Sequence, residues 1–424
     1  MACLCAILVG GTAAAQALSP PEAVRNLVLA GDLQGAQAVL QSWSPQTPDE
    51  EEQRLWLLAV VHREAGQPAQ ALAALEDLVA RRPDVARFRL ELADTLVKLG
   101  QRERAAYHYD LARGGQLNAA QRDHAAAQAR NMDRPSPWSG SFSIAVVPSS
   151  NPTRKTQEET IDLGFGPAPL DPSSRADPAT GVELQGGLAY AHQVSDTLQM
   201  QVGLNVDGTF YEGGTPDDVT GIVDASAIAL LGPNTLLKVS VSYQERYIDG
   251  AFYSRGQGFA LHAITRQGAS GRLGFGVAVT DLTHPTWPGG DGLRSVGYLS
   301  YTHALSSTTS LRGSLKYERT DATSPEVAAT AWEVGLGASH VFAGGLTIDG
   351  DLRIKTSTND GPHGLFGVVE HTRLDTLTVQ LRHSEISWGG FAPYVEFVAE
   401  RQDSNIPVSS YDAFDVGFGL TRQF

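Results

Sequence analysis

The sequence predicts an α + β multidomain chain: an N-terminal array of α-helical repeats, then a transmembrane antiparallel β-barrel of about 14 strands. Three observations lead there. From Pro20 to about Met132 the chain is rich in Ala and Leu at helical spacing and repeats itself every 34 residues. From Trp138 onward the composition shifts to Gly, Ser, Thr and Val, and segment after segment alternates large apolar with polar side chains. Finally, in the tail "SSYDAFDVGFGLTRQF", Phe414, Val416, Phe418, Leu420 and Phe424 share one parity, and Asp415, Gly417, Gly419, Thr421 and Gln423 take the other. Side chains alternate faces along a strand, so this tail has a greasy face and a polar one, with Arg422 interrupting the greasy row.

At 424 residues, two or more units are expected. The opening "MACLCAILVGGTAAAQALSP" joins an apolar run to Ala15-Gln16-Ala17, a small-x-small pattern that reads as a secretory signal peptide over residues 1–17. No Lys or Arg precedes the run. Cys3 and Cys5 are the only cysteines, both inside that segment, so neither disulfides nor thiolate metal sites are expected in the mature chain. Beyond it no run of 18 apolar residues occurs. A chain without such a run spans a membrane only as a closed barrel. The net charge is -15. Residues 1–131 hold 15 acidic and 13 basic side chains, which leaves 32 against 19 for the rest. That balance argues against nucleic acid as a partner.

Residues 18–132 form the expected repeat domain. Ala59, Gly66 and Ala71 recur 34 residues later as Ala93, Gly100 and Ala105, and a weaker copy, "LVLAGDLQGAQAVLQSW", comes first. Helix, Gly at the turn, then a second helix with small residues is the tetratricopeptide layout, with Pro83 where such a repeat closes. The bland alternative is a generic helical bundle. Stacked repeats present a concave surface to extended peptides or partner proteins. Candidate contact residues on the first helices are Gln53, Trp56 and Arg63, then Arg87, Leu90 and Asp94; for Trp56 and Leu90 plain core packing is the alternative.

A linker at 133–138, in "NMDRPSPWSGS", separates the repeats from a barrel expected over 139–424. In "LQMQVGLNVDGTFY", Met200, Val202, Leu204 and Val206 face one way and Gln201, Asn205 and Asp207 the other. "SLRGSLKYERTD" and "LTIDGDLRIKT" repeat the pattern with Arg312, Lys316, Asp349, Asp351, Arg353 and Lys355 on the polar face. Lipid outside and a polar lumen inside call for that alternation. Short turns are read at "VSDT", "GPNT", "RQGAS", "SSTT", "AGG" and "SWGG", with longer links between them and the longest at 148–181. An even strand number puts both barrel ends on one side, the expected periplasmic side. Phe210, Tyr211, Tyr247, Phe252, Tyr253, Trp287, Trp388 and Phe391 lie near segment ends, as interfacial aromatic girdles do.

No G-x-S-x-G, P-loop or H-E-x-x-H motif is present, and the barrel histidines are scattered over separate strands, so no catalytic residue, cofactor or metal is assigned. Asp349 and Asp351 beside Arg353 and Lys355 read as a balanced charged wall. "SGSFSIAVVPSSNPTRKT" looks like the first barrel strand of the surface lipoprotein assembly modifier family, carrying Ser149, Ser150 and Asn151. "YDAFDVGFGLTRQF" looks like that family's closing strand, with Phe418, Leu420, Arg422 and Phe424. Pro152 departs from the aliphatic residue expected after Asn151.

What the resemblance implies is translocation from the outer membrane of a Gram-negative bacterium, with the repeats in the periplasm. The implied partners are a client lipoprotein or secreted haem- or metal-acquisition protein, a periplasmic chaperone, the barrel-assembly machinery and outer-membrane lipids. Three rivals stay open: a polysaccharide-export porin, a passive porin or receptor with a periplasmic binding domain, and a barrel enzyme. Steady conductance would mark the porin. Acidic balance disfavours anionic glycans, and no enzyme site is visible.

Overall fold

The computed structural model describes residues 18–132, 137–162, 166–268, 270–383, 386, 388 and 391–423. The expected signal peptide and Phe424 lie outside the described residues, as does most of the expected linker. The chain divides into two compact units, Met1–Leu75 and Glu76–Phe424.

The first unit holds α1 (Pro20–Leu29), α2 (Leu33–Ser42), α3 (Pro48–Glu64) and the start of α4 (Pro68–Arg81). The helix starts carry their own signals. The Glu22 carboxylate accepts from the Ser19 backbone N–H at 3.1 Å, and Asp32 and Thr47 accept from Gly35 and Glu50 backbone N–H groups. Val24, Ala36, Leu40, Leu57 and Val61 form the buried core, each large apolar side chain contributing about 1.5–3 kcal/mol by leaving water.

The second unit holds the end of α4, then α5 (Ala86–Lys98), α6 (Arg102–Arg113) and α7 (Ala119–Met132) ahead of the strands. The glycines that set the sequence period have a structural reason. Gly66 and Gly100 have φ of 69° and 75°, the left-handed region that favours glycine. At both turns the next N–H, of Gln67 and Gln101, donates 2.9 Å back to His62 and Leu96, which closes the preceding helix. Ala93, Ala105 and Ala112 are fully buried, so these helices pack with no room for larger side chains.

The strands are β1 (Trp138–Ser149), the short pair β2 (Thr160–Asp162) and β3 (Pro167–Pro169), then β4 (Ala179–Ser195), β5 (Leu198–Tyr211), β6 (Asp218–Leu231), β7 (Thr235–Ile248), β8 (Ala251–Gln267), β9 (Gly271–Thr283), β10 (Gly292–Ala304), β11 (Thr309–Ala322), β12 (Ala329–Val341), β13 (Leu346–Pro362), β14 (Val369–His383), β15 (Ala392–Ser404) and β16 (Tyr411–Gln423). All except β2 and β3 form a closed 14-stranded barrel of antiparallel sequence neighbours, shut by β1 against β16. Fourteen-residue strands rise roughly 46 Å, and a tilt of about 40° leaves roughly 35 Å along the barrel axis, enough to cross an apolar band of about 25 Å.

The expected alternation holds. Met200, Val202, Leu204, Val206, Val334, Leu336, Leu352 and Phe418 are exposed on the outer face. Links at 196–197, 232–234, 305–308 and 342–345 share one end with Trp138 and Gln423, and the opposite end carries links such as 284–291 and 363–368. Asp249-Gly250, the one two-residue link at the long-loop end, has φ of 51° and 71°, the left-handed pair that a tight hairpin requires.

Two expectations need correction. The longest link is 150–178, shorter than 148–181, because Pro148 and Ser149 still pair with Thr180 and Ala179. Tyr211 is not a girdle residue. It has lumen parity, and its ring packs against Gly181, where a Cβ would fall 2.8 Å from it.

Close packing at the alanines sets a prediction. Ala105→Leu overpacks the α5–α6 contact and costs about 1–3 kcal/mol, read as a lower melting temperature of the helical circular-dichroism signal with the barrel's strand signal unchanged.

Candidate functional site

Of the six candidate contact residues, Gln53, Trp56 and Arg63 lie half-buried on α3, and Arg63 donates to Glu64 at 3.0 Å. In the second unit Arg87 is exposed on α5, whereas Leu90 is only 4% exposed and serves the helical core. Asp94 is engaged within the array: it accepts from the Tyr109 hydroxyl, and His124 Nε2 lies 2.8 Å from it. Burial and the Asp94 contact push the Tyr109 hydroxyl's pKa upward.

Helices α5–α7 and the end of α4 sit on the short-turn end of the barrel, held there by charge and backbone groups. Arg266, at the end of β8, reaches out of the barrel wall. Its Nη1 donates to Asp110 at 2.7 Å and its Nη2 to the Ala129 carbonyl at 2.9 Å. Arg113 Nη2 donates to the Gly268 carbonyl at 3.1 Å, Ser307 Oγ to the Asp84 carbonyl at 2.6 Å, and the Gly344 N–H to the Ala80 carbonyl at 2.5 Å. Gly114 allows the approach, since a Cβ there would fall 2.7 Å from the Ser306 carbonyl oxygen. Tyr107 on α6 lies within electrostatic reach of Asp349 and Arg382 in the lumen. Behind it, Arg89 is fully buried, donates to the Pro83 carbonyl at 2.9 Å and is held down to about 10 by burial. Burial, reinforced by Arg89 and Arg104, keeps His108 well below the usual histidine range.

The lumen wall over β11–β14 is charged and internally paired. Arg312 lies 2.6 Å from Asp351 and 3.7 Å from Asp349, and Arg382 lies 2.9 Å from Asp349. The cations that balance the two aspartates therefore come from β11 and β14, not from Arg353 and Lys355 on the same strand, because antiparallel register sets neighbours across strands. Glu318 is met by Arg294 at 3.1 Å and Lys316 at 3.2 Å. Across β6 and β7, Lys238 lies 3.8 Å from Asp224. Among the described residues no cluster of three metal-ligating side chains occurs.

The motif at the end of the first barrel strand works at the seam with the last. The Ser150 N–H donates to the Phe414 carbonyl at 3.0 Å, and the Phe414 N–H donates to Ser150 Oγ at 2.8 Å. Ser149 Oγ accepts from the Asn151 N–H at 3.2 Å. Asn151 is 0% exposed; its Nδ2 donates to the carbonyls of Lys155, at 2.7 Å, and Asp412, at 3.0 Å. This turn sends Arg154, at φ 53°, into the barrel mouth. There it lies 2.6 Å from both Glu400 on β15 and Asp415 on β16. Nearer the short-turn end, Tyr394 on β15 lies over Gly419 of β16, where an added Cβ would collide with its ring, and its hydroxyl meets Ser143 Oγ on β1 at 3.2 Å. Phe418 and Leu420 face outward opposite Val146 and Ile144, and Arg422 stacks 5.5 Å from the centre of the Phe391 ring.

Residue patterns did not single out Arg154, Tyr394, Glu400, Asp110 or Arg266 in these roles. The available signal was Gly417 and Gly419 inside a strand, since strand glycines often mark a close approach.

Residues 138–424 match the family model described as surface lipoprotein assembly modifier, and residues 62–130 match that of the tetratricopeptide repeat. No curated protein matches the chain in sequence. Similar solved structures include the outer-membrane channel DcaP of Acinetobacter baumannii, at 11% identity and TM-score 0.43 over 68% of this chain and 96% of that one. A FadL homologue of Pseudomonas aeruginosa is similar at 11% identity and TM-score 0.40 over 71% and 91%.

The junction generates two predictions. Arg266→Ala leaves Asp110 to Arg113 alone, at 3.4 Å, and takes a donor from the Ala129 carbonyl, at a cost of about 2 kcal/mol; limited proteolysis is expected to cut near 114–132 faster while the barrel keeps its heat-resistant electrophoretic form. His108 stays neutral in the folded array, so its stability contribution is complete above its ordinary value of 6.5 and declines as pH falls toward its depressed folded pKa. The helical melting temperature is expected to drop between about pH 7.5 and 5.5, by less in His108→Gln.

Proposed function

Because the chain belongs to the surface lipoprotein assembly modifier family, we propose that it is an outer-membrane translocator that delivers client surface lipoproteins, or secreted haem- or metal-acquisition proteins, from the periplasm to the cell surface. One observation carries the reading: the last repeat helices are seated, through Arg266, Asp110 and Arg113, on the short-turn mouth of a barrel whose β11–β14 wall is charged. Short turns at one end of such barrels are the periplasmic ones, which supports assigning these helices to the side from which a client would arrive.

The parts divide the work. The repeat helices bind an extended client segment or its chaperone. Over β11–β14 the lumen offers a wet wall with several ionic groups already paired, so a passing chain meets water and partly balanced charge there. Folding of the client outside supplies direction, since it withdraws the unfolded chain from the inner side. The reading assigns the barrel no catalytic step, no cofactor and no nucleic-acid partner. The barrel-assembly machinery is the expected neighbour in the membrane.

The test is surface exposure of a lipoprotein or haemophore encoded beside this protein, read by protease shaving and antibody labelling of intact cells. Exposure is expected only when this chain is present and is lost when residues 20–132 are deleted. An assembled barrel with no client outside, together with steady conductance in planar bilayers, overturns it in favour of a porin.

A further inference from the structure

We propose that the β1–β16 seam is a lateral exit for the acyl chains of a lipid-anchored client, held shut at rest by two side-chain clasps that cross β16. This rests on the translocator reading above. A lipidated client is amphiphilic: its polypeptide suits a water-lined lumen, while each acyl CH₂ held in water costs about 0.8 kcal/mol. A barrel sealed all round would keep those chains in water to the end. A seam opening into lipid would not.

The geometry points to this seam and to its long-loop half. On its β4 side, β1 pairs without interruption from Trp138 to Ser149. On its β16 side the ladder runs from Ser141 to Val146, misses Val147 and Pro148, and resumes only at Ser149 with Asp415. Proline has no N–H to give a ladder. Irregular pairing near a strand end occurs elsewhere, as between Thr358 and Pro362 in β13–β14, but at this seam groups from beyond the ladder bridge the three strands. Arg154, in the loop that follows β1, holds Asp415 and Glu400 at 2.6 Å each. Tyr394 of β15 spans Gly419 of β16 to reach Ser143 of β1. Both clasps are polar contacts on the lumen side, where water and a passing client can compete for them. The outer side of the same seam is apolar: Ile144, Val146, Phe418 and Leu420 are exposed there. Unpaired backbone is costly in hydrocarbon, so opening is confined to the stretch beyond Val146, where pairs are already missing and Arg154 is the clasp, while the Tyr394–Ser143 contact keeps the short-turn half of the seam closed. In the proposed orientation that stretch lies toward the outer leaflet, where a surface lipoprotein's anchor must end.

The sequence has only Cys3 and Cys5, so introduced disulfides report cleanly. Pro148→Cys with Val416→Cys, placed opposite each other by the Val146–Phe418 and Ser149–Asp415 pairs on either side, locks the seam; Leu299→Cys with Leu315→Cys locks β10 to β11 as the control. The probe is the neighbouring lipoprotein in two forms, acylated and with its acylated cysteine replaced behind a cleavable signal. The seam lock is expected to lower surface display of the acylated form at least tenfold, with recovery on reduction, and to leave the non-acylated form within twofold. The control should leave both unchanged. Undiminished display of the acylated form through a locked seam overturns the proposal, and so does equal loss of both forms. If the unlocked barrel displays neither form, the translocator reading itself has failed. Without any client, Arg154→Ala should raise deuterium uptake over 411–418 several-fold relative to 330–340, and unchanged uptake would remove Arg154 as a clasp.

Discussion

In hydrocarbon every backbone N–H and C=O must find a partner inside the protein, and a sheet manages that only by closing on itself. Most of this molecule's geometry follows from how fourteen antiparallel strands meet that demand. The even number returns β16 to the end where β1 begins. It thereby places the chain leading into the barrel at the short-turn end, and the helices ahead of it dock on those turns. Closure also singles out one ladder. Neighbouring barrel strands elsewhere are also joined by links of chain, whereas β1 and β16, with no such link, are bridged besides their backbone ladder by the folded-back loop after β1 and by side chains. Asn151, Arg154 and Tyr394 are explained by that difference.

The helical part obeys a different rule. Buried alanines and left-handed glycines let its helices approach closely and turn sharply, so its stability comes from packing. Its attachment to the barrel uses charge-assisted and backbone hydrogen bonds instead, with Arg266 and Arg113 side chains only 4% exposed. A buried guanidinium that loses its carboxylate is expensive, which makes such a junction specific about geometry. The helical core beside it is sensitive to protonation, because His108 and Arg89 are buried 3.4 Å apart, with no carboxylate hydrogen-bonded to that guanidinium among the described residues.

Much of this was legible from residue order, and the limits are physical. Period was readable: the 34-residue repeat marked Gly66 and Gly100, and alternation marked the outer face from Met200 to Phe418. Turn chemistry was readable too, since short links fall where "GPNT", "SSTT" and "AGG" stand. Register was not. Parity tells which face a side chain takes but not who sits opposite, so Asp349 and Asp351 were matched with Arg353 and Lys355 when Arg312 and Arg382 were their partners. The same gap hid the seam: Tyr394 and Ser143 are 251 residues apart. Docking of α6 on the barrel was likewise hidden, because Arg266 sits in an ordinary turn sequence.

The lumen itself has two chemistries. On β7–β9 the inward parity mixes sizes: Ser240, Ser242, Gly258 and Ala260 lie among Lys238, Gln244 and His262, and the Tyr298 ring of β10 covers Gly276. On β10–β14 it carries Arg294, Lys316, Glu318, Arg312, Asp351, Asp349 and Arg382 in close pairs. A paired charge has a field that fades within a Debye length, about 8 Å at physiological salt, so these pairs hold water at the wall without a strong pull on either sign. A pore selective for one small ion would concentrate unpaired charge of one sign at a constriction. This lumen instead spreads close charge pairs along one wall, which favours the polypeptide cargo proposed above, whose side chains change sign from residue to residue.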